Sequence, residues 1–514
     1  MNPLKQGFVF ALSDFINFLQ VIFVRSENLY KLLFINAFSD LRWKLGMWRA
    51  WKNFDISYRS VPAYHDFVDR RGGKPLISTH WWLNPDLSVI PEMDKESYIK
   101  QYSNEDRVRG GKLPSKGVMV DESSGSSGKP TSWVRGWNER EISKQMLQLA
   151  YHSVLGGDNA FVINAFALGA WATGLNVSMF LAEITVLKST GPDIDKIVNT
   201  LLEFGPRYHY IIMGYPPFLK SLADDERIDW SQYQASVAYG GEGMSESQRD
   251  YLLQTFQNVY GSYGASDLEI NIAAENEFTV CLRRLLLKHE DLRDKLMWTD
   301  LGVTPMLFQY NPLAYYIETN EAGELLVSQT RRTNISPKIR YNIHDRGHVW
   351  QFKDVWAEVQ DSQLQHEFDS VERILHLPIM FFYGRSDMSI DYFGANVTPD
   401  SIRDLLFQHS ELAPKLNTFR LESYVDEQQN SRMRLCIELS EGKKNDLDSH
   451  TLAKAIFTQL ADVNRDFANA YYNTAPDDMK PEFHIYEYAH GPFKDAQRKI
   501  KAEYVKTNLT YDKL

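Results

Sequence analysis

The sequence predicts an α/β protein with three kinds of folded part: an α/β core, a β-rich subdomain and a small C-terminal α+β domain. Strand-like and helical runs alternate from Tyr208 to Tyr260, a rhythm typical of a sheet with parallel strands. After Asp300 the pattern is β-rich, and beyond Gly384 a helix, a strand and a second helix follow one another. A chain of 514 residues is also too long for one typical domain. We therefore predict a large N-terminal region over residues 1–383 and a small domain over residues 384–514.

Residues 1–116 predict a helical N-terminal layer. The apolar run Phe8–Val24 is interrupted by Asp14 and Asn17, so we interpret it as a helix that is buried or faces a partner, and an oligomer would use these N-terminal helices. Contact with a membrane surface is the less favoured alternative. Helical spacing continues through Leu29–Trp51 and ends near Val61-Pro62, because proline restricts the residue before it.

Residues 117–300 predict the α/β core. A short strand at Gly117–Val120 leads into a run of turn-forming residues, and helical spacing follows over Asn138–Ser153. The elements after these alternate in type. They are strands at Tyr208–Met213, Ser236–Tyr239 and Val259–Tyr260, and helices at Pro217–Asp224 and Ser245–Phe256.

Residues 301–383 predict the β-rich subdomain. A hairpin turn at Asn320–Gly323 precedes a strand at Glu324–Thr330, and a further element covers Ile339–Trp350. The C-terminal domain begins after Tyr383-Gly384. Its predicted helix, strand and second helix lie at Ser401–Gln408, Arg432–Leu439 and Leu452–Ala470.

Charge and cysteine content exclude several classes of protein. The net charge of -11 and the pI of about 5.7 oppose binding to a phosphate backbone, so we expect no nucleic-acid partner. The cysteines, Cys281 and Cys436, are far apart and lack CxxC spacing, which disfavours a disulfide framework or a cysteine-based zinc site. We therefore expect a protein of the reducing cytoplasm.

A run of serines and glycines is the first candidate for chemistry. Its hydroxyls, its lysine and its backbone N–H groups suit a loop that wraps phosphate oxygens. Alone, such a run is more often a flexible linker, but this one is internal and follows a predicted strand. It is not a Walker loop, because Ser123 and Pro130 stand where that motif needs Gly and Ser or Thr. The candidate phosphate-binding residues are Ser123, Ser124, Gly125, Ser126, Ser127, Gly128 and Lys129.

This loop resembles the phosphate loop of the adenylate-forming superfamily, the acyl-CoA synthetases and ligases. That loop has the pattern Ser/Thr-Ser/Thr-Gly-Ser/Thr-Thr/Ser-Gly-x-Pro, which Ser123 to Pro130 match. Further segments resemble other motifs of the superfamily, and they occur in the same order. They are Tyr239-Gly240-Gly241-Glu242, Tyr263-Gly264-Ala265-Ser266-Asp267, Ile339 to Asp345, and Gly384-Arg385-Ser386-Asp387.

Within the superfamily, the chain is most similar to phenylacetate-coenzyme A ligase-like proteins. The residues that carry this likeness lie upstream of the glycine-rich strand end, and the whole resemblance covers roughly residues 60–510. They are Val61-Pro62-Ala63-Tyr64, Lys95-Glu96-Ser97-Tyr98 and a glycine-rich helix at Leu168-Gly169-Ala170-Trp171. The resemblance implies a large adenylation domain followed by a mobile C-terminal domain.

The resemblance also implies roles for individual residues. Asp345 would bind the ribose hydroxyls, Asp267 would bind Mg²⁺, and Arg385 would contact the nucleotide beside a hinge at Asp387. A C-terminal lysine, Lys499 or in reserve Lys494, would act in adenylation. The remaining positions would line the ATP or AMP site, at Gly240, Gly241, Glu242, Ser262, Tyr263, Gly264 and Ser266, or the acyl site, at Tyr239, Gly169 and Trp171.

Three departures from the family pattern qualify these roles. Asp267 stands where Glu is usual and is one methylene shorter, so Glu269 is an alternative metal ligand. His344 stands where Gly is usual, and as an isolated histidine it is more often structural. The segment around Lys499 lacks the family's glycine, and its lysines equally describe a solvated helix face.

The implied function is the ATP-dependent activation of a carboxylic acid to an acyl-adenylate, with release of pyrophosphate. The acyl group would then pass to a thiol, and coenzyme A would be the co-substrate. One alternative is an amide-forming ligase that transfers the acyl group to an amine. A second alternative, from a different class, is a catalytically silent relative that retains nucleotide binding.

Overall fold

A computed structural model describes most of the chain as two compact units. The described residues are 3–23, 29, 38–72, 85–122, 131–157, 159–301, 303–371, 374–385, 389–393, 395–425, 431–494 and 503–510. Unit 1 consists of Met1–Gly191, Tyr260–Leu282 and Leu307–Phe382. Unit 2 consists of Pro192–Val259, Arg283–Met306 and Tyr383–Leu514. The predicted domain boundaries, and the hinge between them, stay predictions.

Helices and strands alternate between residues 137 and 263, and elsewhere in the described chain they occur in runs of one type. The α-helices are α1 (Pro3–Phe23), α2 (Ser39–Ser60), α3 (Pro62–Asp69), α4 (Trp137–Val154), α5 (Ala172–Leu181), α6 (Ile194–Phe204), α7 (Pro216–Ala223), α8 (Glu246–Leu252), α9 (Glu277–Lys288), α10 (Glu290–Leu296), α11 (Phe352–Asp361), α12 (Pro399–Gln408), α13 (Ser449–Val463) and α14 (Arg465–Asn469). The strands of the first half are β1 (Val118–Glu122), β2 (Ser132–Gly136), β3 (Ala160–Asn164), β4 (Val186–Ser189), β5 (His209–Gly214), β6 (Gln234–Gly240), β7 (Val259–Tyr263) and β8 (Ala273–Ala274). Those of the second half are β9 (Met306–Tyr310), β10 (Tyr315–Thr319), β11 (Glu324–Gln329), β12 (Tyr341–Trp350), β13 (Ile379–Arg385), β14 (Ile390–Tyr392), β15 (Ala395–Val397), β16 (Leu416–Val425), β17 (Ser431–Leu439), β18 (Glu482–Tyr486) and β19 (Val505–Thr510).

Unit 1 contains the β-rich part of the chain. Its strands hydrogen-bond in the order β10-β11-β12-β13-β9-β8-β7, and β3 pairs with β4 in parallel. The predicted hairpin is confirmed, because β10 and β11 pair antiparallel across the turn at residues 320–323. All five residues of β3 are buried, which accounts for its apolar sequence from Ala160 to Ile163. This order brings the carboxyl end of β7 and the start of β12 into the same unit.

Unit 2 contains the parallel pair β5 and β6 and a separate four-stranded sheet. The predicted parallel strands are confirmed, since β5 pairs with β6 from His209↔Gln234 to Gly214↔Tyr239. The four-stranded sheet has the order β18-β17-β16-β19. Its apolar face packs against α12 and α13 around fully buried side chains, among them Leu421, Leu435 and Ile456. The predicted α/β fold class is therefore confirmed in both units.

The predicted helix Leu452–Ala470 is wrong in one respect, because it is interrupted. Helix α13 ends at Val463, and Asn464 has φ -122° and ψ 103°, which is not helical. The Asn464 side chain accepts a hydrogen bond of 2.9 Å from the backbone N–H of Phe467. A short polar side chain that satisfies the backbone in this way starts a new helix, which explains the separate element α14.

The N-terminal helices are confirmed where the structure describes them. Helix α1 covers the apolar run, and α2 ends at Ser60 immediately before Val61-Pro62, where the proline opens α3. Among the described residues, no helix combines the length and the apolar character that crossing a membrane requires.

Candidate active site

The predicted phosphate loop joins two antiparallel strands. Residues 123–130 lie outside the described residues, but their flanks are clear, since β1 ends at Glu122 and β2 begins at Ser132. Glu122 and Ser132 are direct partners in the antiparallel β1–β2 ladder. The strand predicted before the loop is thereby confirmed. The element after these residues is a strand, whereas a helix follows the loop of a Walker motif, which agrees with the sequence.

The segment Leu168–Trp171 is not the helix that its sequence predicted. Gly169 has φ +97°, and α5 begins only at Ala172. A positive φ interrupts a right-handed helix, and glycine adopts it without steric cost. The segment instead runs beside the end of β1, because the N–H of Glu122 donates to the carbonyl of Ala170 at 2.9 Å. Gly169 and Trp171 therefore lie near Glu122 at the end of β1, the residue before the predicted phosphate loop.

Two tyrosine–aspartate hydrogen bonds join the motifs at residues 263–267 and 341–345. The hydroxyl of Tyr263 donates to Asp345 Oδ2 at 2.6 Å, and the hydroxyl of Tyr341 donates to Asp267 Oδ2 at 2.7 Å. Each motif thus supplies one donor and one acceptor. We call these contacts the reciprocal pair. Because Tyr263 and Asp345 are 82 positions apart, only the fold brings them together.

Burial strengthens the reciprocal pair. Asp345 is 4% exposed, and a buried carboxylate is stable only where hydrogen bonds replace its water. Burial raises the pKa of the Tyr341 hydroxyl well above its ordinary value, and the charge of Asp267 adds to the rise. Tyr341 therefore keeps its proton at neutral pH and remains a donor. The sequence offered no signal for Tyr341, because its partner lies 74 positions away.

Asp267 fits a magnesium site better than its neighbour Glu269. Asp267 is partly exposed, and its contact with Tyr341 occupies Oδ2. Glu269 is 3% exposed and is surrounded by donors. Arg331 and the hydroxyl of Tyr315 bind its Oε2, and Ser143 Oγ donates to the same oxygen at 3.2 Å. Glu269 is thus one member of a structural ion pair in unit 1, with Arg331, rather than an alternative metal ligand.

Within the described residues there is no group of three or more metal-binding side chains. Mg²⁺ at a nucleotide site is commonly held by one or two carboxylates together with water and phosphate oxygens. A single carboxylate such as Asp267 therefore fits this ion.

Gly264 and Ser266 lie on the turn between Tyr263 and Asp267. A Cβ on Gly264 would lie 2.8 Å from the N atom of Asn271 and from the carbonyl oxygen of Glu269, so glycine is required there by close approach. The carbonyl of Ser266 accepts a hydrogen bond from Arg135. Ser262 Oγ donates to Asn271 Oδ1 at 3.0 Å. These contacts fix the turn that carries Asp267.

His344 keeps the backbone conformation that glycine would favour. Its φ is +63°, in the left-handed region that costs a non-glycine residue about 1 kcal/mol or more. Two contacts hold it: its N–H donates to Asn342 Oδ1 at 2.7 Å, and its Nδ1 lies 3.2 Å from Glu324 Oε1. His344 lies inside β12, at the irregularity of the β11–β12 ladder between the pairs Leu326↔Asn342 and Glu324↔Arg346, where a left-handed residue is accommodated.

The glycine-rich segment of unit 2 follows the end of β6. Gly241 has φ +80°, which allows the sharp turn after Gly240. Tyr239 is 1% exposed, and its hydroxyl accepts from Arg249 at 3.2 Å. Glu242 Oε2 accepts a hydrogen bond of 2.8 Å from the hydroxyl of Tyr504, close to the C-terminus. Tyr504 was not among the residues predicted from sequence, since 262 positions separate it from Glu242.

A glycine that the fold requires directly precedes the predicted hinge at residues 385–387. Gly384 has φ +109°, and a Cβ there would lie 2.5 Å from Asp400 Oδ2. Arg385, at the end of β13, is exposed. Asp387 and Lys499 lie outside the described residues. Lys494 is exposed and directly follows a short turn at Gly491–Phe493.

Glu139 gives the stability of unit 1 a dependence on pH. It is 2% exposed, its Oε2 accepts from the N–H of Ile335 at 3.0 Å, and burial raises its pKa from 4.5 to about 7. Between these values the folded state holds a proton that the unfolded state has released, so stability falls as pH rises. Glu139→Gln cannot ionise and keeps an acceptor for Ile335. At pH 8 we expect this variant to have a higher urea midpoint than the native protein, which corresponds to a free energy of unfolding that is larger by on the order of 2 kcal/mol. Near pH 4.5 the difference should be gone.

The matched control for this prediction is Glu141→Gln on the same helix. The Glu141 side chain is 37% exposed and pairs with Lys144 at 2.9 Å. Loss of an exposed ion pair changes stability by less than about 1 kcal/mol, without a trend between pH 4.5 and 8. An equal effect of both substitutions at pH 8 would contradict the prediction.

Comparison with known proteins reveals the fold but no sequence relative. No protein-family model matches the chain, and no curated protein matches its sequence. A 2-hydroxyisobutyryl-CoA ligase, solved in the postadenylation state with R3-HIB-AMP, superposes with a TM-score of 0.64 and 14% identity, covering 92% of this chain and 91% of that one. The same ligase with 2-HIB-AMP gives a TM-score of 0.63 at 14% identity, over 90% of this chain and 89% of that one. At this identity the likeness establishes the fold, which agrees with the fold expected from the sequence.

Proposed function

We propose that this protein uses ATP to convert a carboxylic acid into an acyl-adenylate and pyrophosphate, and then transfers the acyl group to the thiol of coenzyme A. The observation that carries the proposal is the reciprocal pair. Four residues from two separate motifs, Tyr263 with Asp345 and Tyr341 with Asp267, hold one another in defined positions. The fold gives further support, because the matched structures are of a CoA ligase with an acyl-AMP bound.

The first half-reaction makes a better leaving group. A carboxylate oxygen attacks the α-phosphorus of ATP, the bond from that phosphorus to the bridging oxygen breaks, and pyrophosphate leaves. The product is a mixed anhydride of the acid and AMP. An anion must approach a polyanion here, so the protein contributes mainly by positioning and by placing donors where charge develops.

Each candidate residue has a role in this scheme. Asp345 would bind the ribose hydroxyls, and the loop Ser123–Lys129 would bind the β- and γ-phosphates. Asp267 would hold Mg²⁺, which when bound would neutralise charge on the phosphates. Gly240, Gly241 and Glu242 would lie on the adenine side, with Tyr263 and Arg385 also on the nucleotide. Tyr239, Gly169 and Trp171 would lie toward the acyl group.

In the second half-reaction the thiolate sulfur attacks the acyl carbon, the anhydride bond breaks and AMP leaves. We propose that the segment from Arg385 to Asp387 is the hinge about which the C-terminal domain turns between the two half-reactions. Gly384 suits a hinge start, because its φ of +109° excludes most other residues. A cytoplasmic location fits the lack of a disulfide bond between Cys281 and Cys436.

The decisive experiment is an ATP–pyrophosphate exchange screen with the full-length protein over aryl, fatty and amino acids. Exchange that depends on one class of acid supports adenylation and identifies the substrate. Each hit is then incubated with ATP and either coenzyme A or a panel of amines, and the product is identified by mass. A thioester supports the proposal, an amide replaces its second half, and no exchange with any acid contradicts it.

The lysine that acts in adenylation is tested separately. We expect Lys499→Ala to lower the rate of acyl-adenylate formation at least about 100-fold, because it removes a cation from the reacting phosphate oxygens. Conversion of a supplied acyl-adenylate with coenzyme A should be nearly unchanged. Lys494→Ala, which truncates an exposed side chain, is the matched control and should retain both activities. The reverse result would transfer the role to Lys494.

A further inference from the structure

The outward face of α1 carries an unbroken apolar stripe. The exposed residues on this stripe are Phe8, Ala11, Phe15, Phe18 and Ile22, separated by three, four, three and four positions. The side chains of Phe8, Phe15 and Phe18 are 58%, 57% and 62% exposed, and Ile22 is 40% exposed. We call these five residues the α1 seam. Alternating steps of three and four place them on one side of the helix.

The opposite side of α1 is anchored, so the direction of the seam is fixed. Val9 and Ser13 are 0% and 3% exposed, and the ring of Phe10 meets that of Trp51 at 5.4 Å. Lys52 Nζ donates to the carbonyl of Phe10 at 2.7 Å and pairs with Asp14 at 2.6 Å. Asp14, the charge that interrupts the apolar run, is thus held by Lys52, although 42% of its side chain is exposed. The seam is what α1 presents to solvent.

The spacing of the seam fits another helix better than a membrane surface. A repeat of three and four is the pattern by which one helix packs its side chains between those of a second. A helix that lies on a membrane instead carries lysine and arginine around its apolar face. The sequence of α1 contains one basic residue, Lys5, and the chain has a net charge of -11, which opposes anionic lipid.

The seam supplies about half of the area that a standard dimer interface buries on each partner. A phenylalanine side chain offers roughly 200 Å² of surface, so the exposed fractions of the three phenylalanines and Ile22 sum to roughly 400 Å² on each chain. A standard interface buries roughly 800 Å² on each partner, so surface flanking the seam has to supply the rest. Ala11, between Phe8 and Phe15, leaves room for a large side chain from the partner.

We propose that the α1 seam pairs with the α1 seam of a second copy of this chain, forming a two-fold-symmetric dimer. A symmetric dimer uses the same patch on both copies, so one apolar stripe is sufficient for both sides. Phe8, Phe15, Phe18 and Ile22 leave water on association, while the nucleotide-binding motifs of each copy take no part. Association is concentration-dependent in the micromolar range, as expected for an interface of modest area.

The test is the molar mass of the full-length protein by sedimentation equilibrium over a wide concentration range. The native chain should form dimers. Phe15→Glu should raise the dimer dissociation constant at least about 100-fold, because it places two unpaired carboxylates in an apolar interface. Phe18→Ser, a milder change, should raise it by about tenfold. Leu202→Glu on α6, where the side chain is 68% exposed, is the matched control and should leave the dimer intact.

Circular dichroism and thermal unfolding establish that each variant is folded, which the outward position of the seam predicts. A native chain that remains monomeric overturns the proposal. So does a dimer that both Phe15→Glu and Phe18→Ser leave unchanged, since another surface would then form it. A monomer that binds phosphatidylcholine–phosphatidylserine vesicles, and loses this binding in Phe15→Glu, would overturn it in favour of a membrane-surface helix.

Discussion

Asp345→Ala is expected to abolish ATP–pyrophosphate exchange, with a fall of at least about 100-fold in rate. In the proposed function, the carboxylate accepts hydrogen bonds from the ribose hydroxyls, and hydrogen bonds to a charged group are each worth about 1.5–3 kcal/mol. Asp345 is 4% exposed, and its carboxylate accepts a hydrogen bond of 2.6 Å from Tyr263. In Asp345→Ala, a water molecule could take over the role of the carboxylate only if the surrounding side chains moved. The measurement is the exchange rate at saturating acid, with ATP varied.

Two variants separate the role of the carboxylate from that of its support. Tyr263→Phe keeps Asp345 charged but removes the hydrogen bond that orients it, and should raise the KM for ATP about tenfold with a smaller change in kcat. Asp345→Asn keeps an acceptor for Tyr263 and removes the charge, and should fall between the native protein and Asp345→Ala. Exchange in Asp345→Ala at the native rate would contradict the assigned role, provided that the variant unfolds at the native temperature.

The fold was largely predictable because its elements are encoded locally. Tyr210, Ile211 and Ile212 form an apolar run of strand length, and all three are fully buried in β5. Pro216 at the start of α7 and Pro62 at the start of α3 lie where proline is tolerated, and they mark the helix boundaries in the sequence. Signals of this kind depend on residues a few positions apart, so a single sequence contains them in full.

The errors arose where one residue overrides a pattern. The apolar spacing from Leu452 to Ala470 continues through Asn464, but its side chain bonds to the backbone of Phe467 and ends the helix. Around Gly169, the resemblance to the ligase family implied a helix, whereas the positive φ of the glycine interrupts one. In both places a local hydrogen bond or a backbone conformation outweighed the average propensity of the segment.

The candidate site was predictable by motif and not by contact. Asp267 and Asp345 were identified from the sequence, yet their partners Tyr341 and Tyr263 were not connected to them, because such pairs are set by the tertiary fold. The same holds for Glu242 and Tyr504. The interpretation of Glu269 as an alternative metal ligand rested on its distance from Asp267 along the chain. Glu269 is instead buried in an ion pair with Arg331, which lies 62 positions away in the sequence.

The ion pair between Arg331 and Glu269 supports the second large prediction. Both side chains are nearly excluded from solvent, at 2% and 3% exposure, and Tyr315 also donates to Glu269. Removing one member of such a pair leaves the other charge buried without its counter-ion. We expect Arg331→Met to lower the free energy of unfolding by about 3–5 kcal/mol, measured as a shift of the urea midpoint at pH 7.5.

The double variant Arg331→Met with Glu269→Gln decides whether the unpaired charge is the cause. Methionine fills much of the volume of the arginine side chain, and glutamine keeps an acceptor for Tyr315 and Ser143 without a charge. Replacing a buried ion pair by neutral groups of similar size is often close to neutral. The double variant should therefore recover more than half of the stability lost in Arg331→Met. If it is as unstable as the single variant, lost packing rather than charge explains the effect. If Arg331→Met alone is as stable as the native chain, then the pair does not contribute to the stability of unit 1, and Glu269 has no structural role there.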